Sequence, residues 1–479
     1  MNLLAALSPL LLVVALSAAF RRPAFIAAWW GVVLVALLML AMPDFSVTPQ
    51  RLAPGFGAAG LITLQALFVI VPGLYLNELL TAGKVHERLV EWVGTIPMQA
   101  SHKAILIVVG LAPALESLTG FGVSLLVTIP LLMAIAPRRI ALRQALLGMN
   151  IMPWGTLALA TVVGAQLAGQ NAAAIGLGSA WVSFGVFPVF GAAAAALAVE
   201  PGRRRLGAVA HGILLGSVLS CSLIVLNWAG IVELAGILAG AITTTVCLVV
   251  FSKGRAIDRP PWGALAPYGM VLGLVFIVRM LALLGVPLSV FTLQAGGVTF
   301  SPLGSPGIAL AATTLVMGRG RLTATTLKAT ALRACKPVLA LGGFTLMAQL
   351  MVVSGMVIAI GKALPASNVH ELTAFAPLLG MVSGYLTGSN VGGNALMMTM
   401  QSTAGSGVGR SLVFAAVQNS AAGHAVFASM PIVLLVLAIS GGARQGEESE
   451  LVRYGLLMAG IVAVMITMAA MVLPFVLGG

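Results

Sequence analysis

The chain has 479 residues, of which 60% are hydrophobic and 8% charged, with a mean hydropathy of +1.09. No water-soluble domain hides that much apolar surface, so the composition excludes a soluble globular protein. It points to an all-α polytopic membrane protein, because lipid offers the backbone no hydrogen-bond partner. The formal charge of +13 would suit nucleic acid, and where the charges fall decides that question.

Residues 2–20 form the first apolar run. It has no basic leading region and no evident cleavage site, so it reads as a retained span. Runs of spanning length follow at 24–43, 56–80, 144–167, 172–198, 206–228, 230–251, 268–288, 305–318, 337–360, 411–440 and 455–477, which makes about 12 transmembrane helices. The cluster Lys84, His86, Glu87, Arg88 and Glu91 reads as a solvated interfacial helix. Two further apolar regions, at 104–136 and 373–402, each consist of two short arms around a Gly/Ser/Asn break: "LAPALESLTGFGVSLLVTIPLL" and "FAPLLGMVSGYLTGSNVGGNALMMTM". The three cysteines, Cys221, Cys247 and Cys335, have no metal-ligand spacing, and neither a disulfide framework nor a metal site is expected.

Lys and Arg placement sets the topology. With the N-terminus outside and each broken region returning to the side it left, 21 of the 25 basic residues fall inside. Arg51, Lys362 and Arg410 fall outside, and Arg279 lies within a span. The positive charge is thus an orientation signal, and nucleic acid is dropped as a partner. A broken region that crossed fully would reverse every later loop and degrade the asymmetry, so both are read as re-entrant helical hairpins.

The hairpins also resemble each other, with "SLTGFGV" at 117–123 returning as "YLTGSNV" at 385–391, 268 residues on. The same offset pairs 1–20 with 268–288, 144–167 with 411–440 and 172–198 with 455–477. Equivalent elements enter from opposite sides. The expected organisation is therefore a first inverted repeat at 1–200, inter-repeat helices at 201–260 and a second repeat at 261–479. Interrupted segments at matching places in two inverted halves are the sequence mark of a transporter's midplane site.

A broken helix presents free N–H groups and a positive dipole end, which suit an anion. The expected substrate-binding residues are Thr119, Gly120, Phe121 and Gly122 in the first hairpin, and Thr387, Gly388, Ser389, Asn390 and Asn394 in the second. Small residues that merely allow close helix packing are the competing explanation. Glu116 is a membrane-buried carboxylate and the first candidate for proton coupling, against a purely structural bond that holds the hairpin tip. His424 is the second coupling candidate, against the structural hydrogen bond that a lone histidine in a helix more often makes. Asn150, Gln418, Asn419 and Arg279 are expected in support; Arg279 could pair with Glu116, with Glu233 or with the substrate. Pro153 should loosen its helix.

"ALESLTGFGVSLLV", "GMNIMPWG", "GYLTGSNVGGNALMMTMQ" and "QNSAAGHAVFASM" resemble, in order and spacing, the L-lactate permease family of bacterial transporters. The likeness is clearest over 56–168 and 325–440. It implies uptake of lactate, glycolate or a related 2-hydroxy monocarboxylate with protons across the bacterial inner membrane. It also implies kinship with ion transporters built from inverted repeats. The first motif departs from the family's Glu-Gly-Ala-Ala-Gly-Phe-Gly pattern, with Ser117, Leu118 and Thr119 in place of small residues. The second has glycines at 392 and 393 where polar residues are commoner.

The expectation is thus a secondary transporter, not an enzyme, importing a small organic anion by alternating access. It needs no cofactor beyond a coupling proton, with sodium as the alternative ion, and homodimerisation is left open. A sodium-coupled carboxylate transporter or cation/proton exchanger is the runner-up. A membrane-embedded enzyme ranks last, because only 12 acidic residues exist and no DxxD or HExxH spacing appears.

Overall fold

The computed structural model describes residues 2–200, 202–252, 258–318, 323–363 and 369–476. Of the residues behind the orientation argument, Lys253, Arg255, Arg319 and Arg321 lie outside the described ones. The order is α1 (Asn2–Ala18), α2 (Ala24–Ala41), α3 (Pro49–Ala82), α4 (Val85–Thr95) and α5 (Ala100–Leu106), followed by a π-turn at Ile107–Leu111 and α6 (Ala112–Thr119). Next come α7 (Leu125–Ile135), α8 (Arg138–Gly148), α9 (Gly155–Ala168), α10 (Ala172–Val182), α11 (Val186–Leu197), α12 (Arg203–Trp228), α13 (Val232–Phe251) and α14 (Trp262–Leu283). A two-stranded hairpin, β1 (Leu293–Ala295) with β2 (Val298–Phe300), precedes α15 (Pro306–Met317), α16 (Ala324–Val353) and α17 (Met356–Ala363). The chain ends with α18 (Val369–Thr387), α19 (Asn390–Ser406), α20 (Ser411–Ala425), α21 (Met430–Ile439) and α22 (Glu447–Val476).

The fold is all-α apart from that short hairpin. Among the described residues, 8 helices are long and apolar enough to cross a membrane, or up to 11 if each bent pair is one span. Three runs expected to be continuous are bent: α8 against α9 by 53°, α10 against α11 by 46°, and α20 against α21 by 43°. Pro153 and Pro431 lie at two of these bends, where a missing N–H and a ring that clashes with the preceding turn end a helix. The run expected at 305–318 is a helix of only 12 residues, α15.

Burial orders the helices. The helix from Ala100 to Thr119 is 83% buried, whereas α2, α14 and α22 are 22%, 28% and 28% buried and form the outer surface. The first broken region therefore sits in the centre. Its second arm, α7, folds back along α5 and the π-turn, and α19 folds back along α18.

Contacts between helix ends join segments that the charge threading puts on one side. Arg138 binds Glu447, Ser440 and Gly442, and Trp92 donates to the Asp258 carbonyl. Gln170 meets Ser411, and Gln166 donates to the Thr299 carbonyl. The cluster on α4 was expected to be solvated, but His86 is buried there together with Val85, Leu89 and Val93. The thiols of Cys221, Cys247 and Cys335 are free.

Candidate functional site

The first break begins where α6 stops at Thr119. Gly120 (φ 68°) and Gly122 (φ 75°) adopt left-handed dihedrals, and so does Phe121 (φ 56°), which pays a steric cost that glycine avoids. Glu116 fastens this turn. Its Oε1 accepts from the Gly122 N–H at 2.9 Å, and its Oε2 accepts from the Ser124 hydroxyl at 2.7 Å and the Ser124 N–H at 3.4 Å. The carboxylate is 1% exposed and forms no salt bridge among the described residues. The Ser124 hydroxyl also lies 3.6 Å from Met149 Sδ, a weaker acceptor. Thr119 spends its hydroxyl proton on the Leu115 carbonyl of its own helix.

At the second break, Gly388 (φ 63°) ends α18 and Ser389 caps α19, its hydroxyl accepting from Gly392 N at 3.4 Å. Thr387 bonds the Ser383 and Ser389 carbonyls, each at 2.8 Å. Asn390, the first residue of α19, and Asn394, one turn on, both donate to a single oxygen, Asn419 Oδ1, at 3.3 and 2.8 Å. Asn394 also donates to the Ala160 carbonyl at 2.9 Å. Asn419 in turn donates to the hydroxyls of Thr161 and Ser179, both at 2.9 Å. Gln418 donates to Ser383 Oγ and to the Gly393 carbonyl.

Two helices bring the tips together. On α21, a Cβ at Gly122 would collide with Leu435, and one at Gly388 would lie 2.7 Å from Pro431. Pro431 and Leu435 are four residues apart, so the two tips rest on one face of α21 about 6 Å apart along it. On α9, a Cβ at Gly120 would collide with the Thr156 side chain, while Thr161, one turn further, holds Asn419. Thr156, Leu157 and Ala158 are all left-handed (φ 51°, 55° and 56°), an unusual run for residues with a Cβ.

His424 is fully buried, edge-on to Phe187 at 5.5 Å. Its Nε2 meets Ser183 Oγ at 2.8 Å; Ser183 meets Ser420 at 3.0 Å, and Ser420 donates to the Ser179 carbonyl. Asn150 donates to the carbonyls of Val108, in the π-turn, and Leu147, so it staples α8 to the first hairpin's leading arm. Arg279 is not at the site: of its three suggested partners it takes Glu233, in a pair whose arginine side chain is 44% exposed.

The expected residues of both hairpins thus converge, and Arg279 alone stands apart. The sequence reading missed Ser124, Thr161, Ser179, Ser183 and Ser420. Ser and Thr are common in membrane helices, and only the i, i+4 spacing of Ser179 with Ser183, matched by Ser420 with His424, could have singled some of them out. The 268-residue offset between the two motifs puts Gly384 opposite Glu116, and the packing shows why no carboxylate stands there. A Cβ there would overlap the Ala422 backbone of α20, so no side chain fits.

Residues 285–477 match the family model for L-lactate permease. An L-lactate permease of Escherichia coli (strain K12) is 30% identical over 145 residues, 29% of this chain and 26% of that protein. The aligned stretch thus spans about a quarter of that relative. The family-model match contains the second hairpin and α20 to α22, whereas the first hairpin lies outside it.

Proposed function

Because residues 285–477 match the L-lactate permease family model, we propose that this chain is a divergent member of that family and a secondary transporter. Its substrate is a small organic anion, a 2-hydroxy monocarboxylate such as lactate or glycolate, imported across the bacterial inner membrane with a proton. The observation that supports this best is the meeting of two hairpin tips on one face of α21, with a buried amide and hydroxyl network behind them.

The substrate carboxylate binds at the N-terminal end of α19. The first N–H groups of a helix have no partner within it, and the aligned peptide dipoles favour an anion there. The coupling proton binds Glu116 Oε2. Ser124 then stops donating to that oxygen, and its hydroxyl turns to Met149 Sδ. The Ser124 N–H loses its acceptor as well, so the start of α7 loosens from the turn. The tip that loosens is the one pressed on Thr156 and Leu435, beside the second hairpin. Proton and substrate are linked through α9 and α21 in this way. His424 holds Ser183 and positions the network. The two hairpins are re-entrant and belong to inverted repeats at 1–200 and 261–479, and the hairpin-bearing core moves against the remaining spans.

Counterflow of labelled lactate or glycolate in proteoliposomes, with and without a pH gradient, tests the reading. A sodium-gradient arm separates the two coupling ions. Absence of uptake of any small carboxylate under any ion gradient would overturn it.

A further inference from the structure

The hydrogen-bond directions in the network are fixed by chemistry, and at Asn394 they leave a one-sided remainder. A backbone carbonyl only accepts, so the group facing Ala160 O must be the amide nitrogen of Asn394, and the group facing Gly393 O must be that of Gln418. Thr161 gives its proton to the Pro153 carbonyl at 2.6 Å, so it accepts from the Asn419 nitrogen. Asn419 Oδ1 is therefore the oxygen that takes both Asn390 and Asn394. Both protons of the Asn394 amide are then committed, one to Ala160 and one to Asn419. Its Oδ1 has no partner among the described residues, and neither has Asn390 Oδ1. Asn394 is 0% exposed and Asn390 4%. Asn394 thus leaves only an acceptor for a guest, and Asn390 leaves an acceptor beside one uncommitted amide proton, whereas a bare carboxylate needs donors.

We propose that Asn394 and Asn390 read the substrate's 2-hydroxyl group, accepting its proton bond, while the carboxylate is held by the N–H groups at the start of α19. This rests on the transporter reading above and deepens it: these two amides distinguish a hydroxy acid from acids that lack the donor. A site built to pair a hydroxyl leaves buried acceptors unmatched when the guest has none, and that mismatch disfavours the wrong guest.

The test is competition against labelled lactate counterflow in proteoliposomes of the full chain, using unlabelled lactate, propionate (no 2-substituent) and pyruvate (2-keto, acceptor only). The wild type should prefer lactate over both by roughly ten- to a hundredfold. Asn394→Leu should bring lactate and propionate to within about threefold of each other, the loss of a single unmatched-acceptor penalty. Asn390→Leu gives up one bond of 3.3 Å and supplies a second variant should Asn394→Leu fail to fold. A wild type that takes propionate or pyruvate as well as lactate overturns the hydroxyl-reading role while the transporter reading stands. Unchanged discrimination in folded Asn394→Leu or Asn390→Leu overturns it too. A wild type that exchanges no carboxylate at all removes both readings.

Discussion

Replacing Glu116 by Gln separates a coupling carboxylate from a mere clip, because the geometry lets Gln imitate the protonated state. The glutamine oxygen can take the Oε1 position and keep the Gly122 N–H at about 2.9 Å. Its NH2 then faces Ser124 Oγ, which accepts and turns its own proton to Met149 Sδ. What is lost is the long 3.4 Å bond from Ser124 N and the charge on one hydroxyl bond, together about 1–2 kcal/mol. Glu116→Ala is different. It strands the Gly122 N–H and the Ser124 hydroxyl in a buried site and opens a cavity, for a loss of about 3–5 kcal/mol. In purified protein, Glu116→Gln should melt close to wild type and Glu116→Ala well below it. In proteoliposomes, Glu116→Gln should keep lactate counterflow, which needs no net proton movement, and lose accumulation driven by a pH gradient. Wild-type accumulation by Glu116→Gln would refute the coupling role. Equal destabilisation by Gln and Ala would refute the idea that the Ser124 hydroxyl can switch acceptors.

Asn419→Ala removes the acceptor shared by Asn390 and Asn394 and the donor to Thr161 and Ser179. It should cost about 3–5 kcal/mol and abolish exchange, and near-wild-type melting would mean the network is not a junction between the hairpin and α9. Gly120→Ala forces a left-handed alanine against Thr156, for about 2 kcal/mol or more, and Thr156→Ala in the same chain should recover part of that loss. Strict additivity in this cycle would show that the two residues do not press on each other. Arg138 forks onto Glu447 at 2.8 and 3.1 Å and also binds Ser440 and Gly442, with 13% of its side chain exposed. Arg138→Ala should therefore lose about 2–4 kcal/mol, and Arg138→Lys should rescue little because an ammonium cannot fork. Full rescue by Lys would reduce the contact to simple charge attraction.

Particular residues show how far the sequence reached. The two breaks were legible because glycines beside Thr, Ser and Asn interrupt runs that lipid would otherwise keep helical, and because the pattern occurs twice. Glu116 was legible because a carboxylate is costly in an apolar run. What its oxygens bind was not legible: only the turn places Gly122 N and Ser124 Oγ on them. The bend between α8 and α9 was signalled by Pro153, whereas that between α20 and α21 was hidden inside unbroken hydrophobicity, with Pro431 as the local cue. The hydroxyl of Thr161 was invisible, since nothing in its own neighbourhood distinguishes it from a packing residue, and Ser179 and Ser183 offered only their i, i+4 spacing.

Composition, spacing and repetition alone determined the solvent, the helical class, the orientation signal and the two hinge-like breaks, because each follows from the transfer of single residues into lipid. Which polar groups face one another was decided by tertiary packing. Arg279 went to Glu233, Gly384 had no room for a carboxylate, and Asn419 became the shared acceptor of two asparagines. Hydrogen bonds between helices depend on relative rotation and depth, which local sequence does not encode.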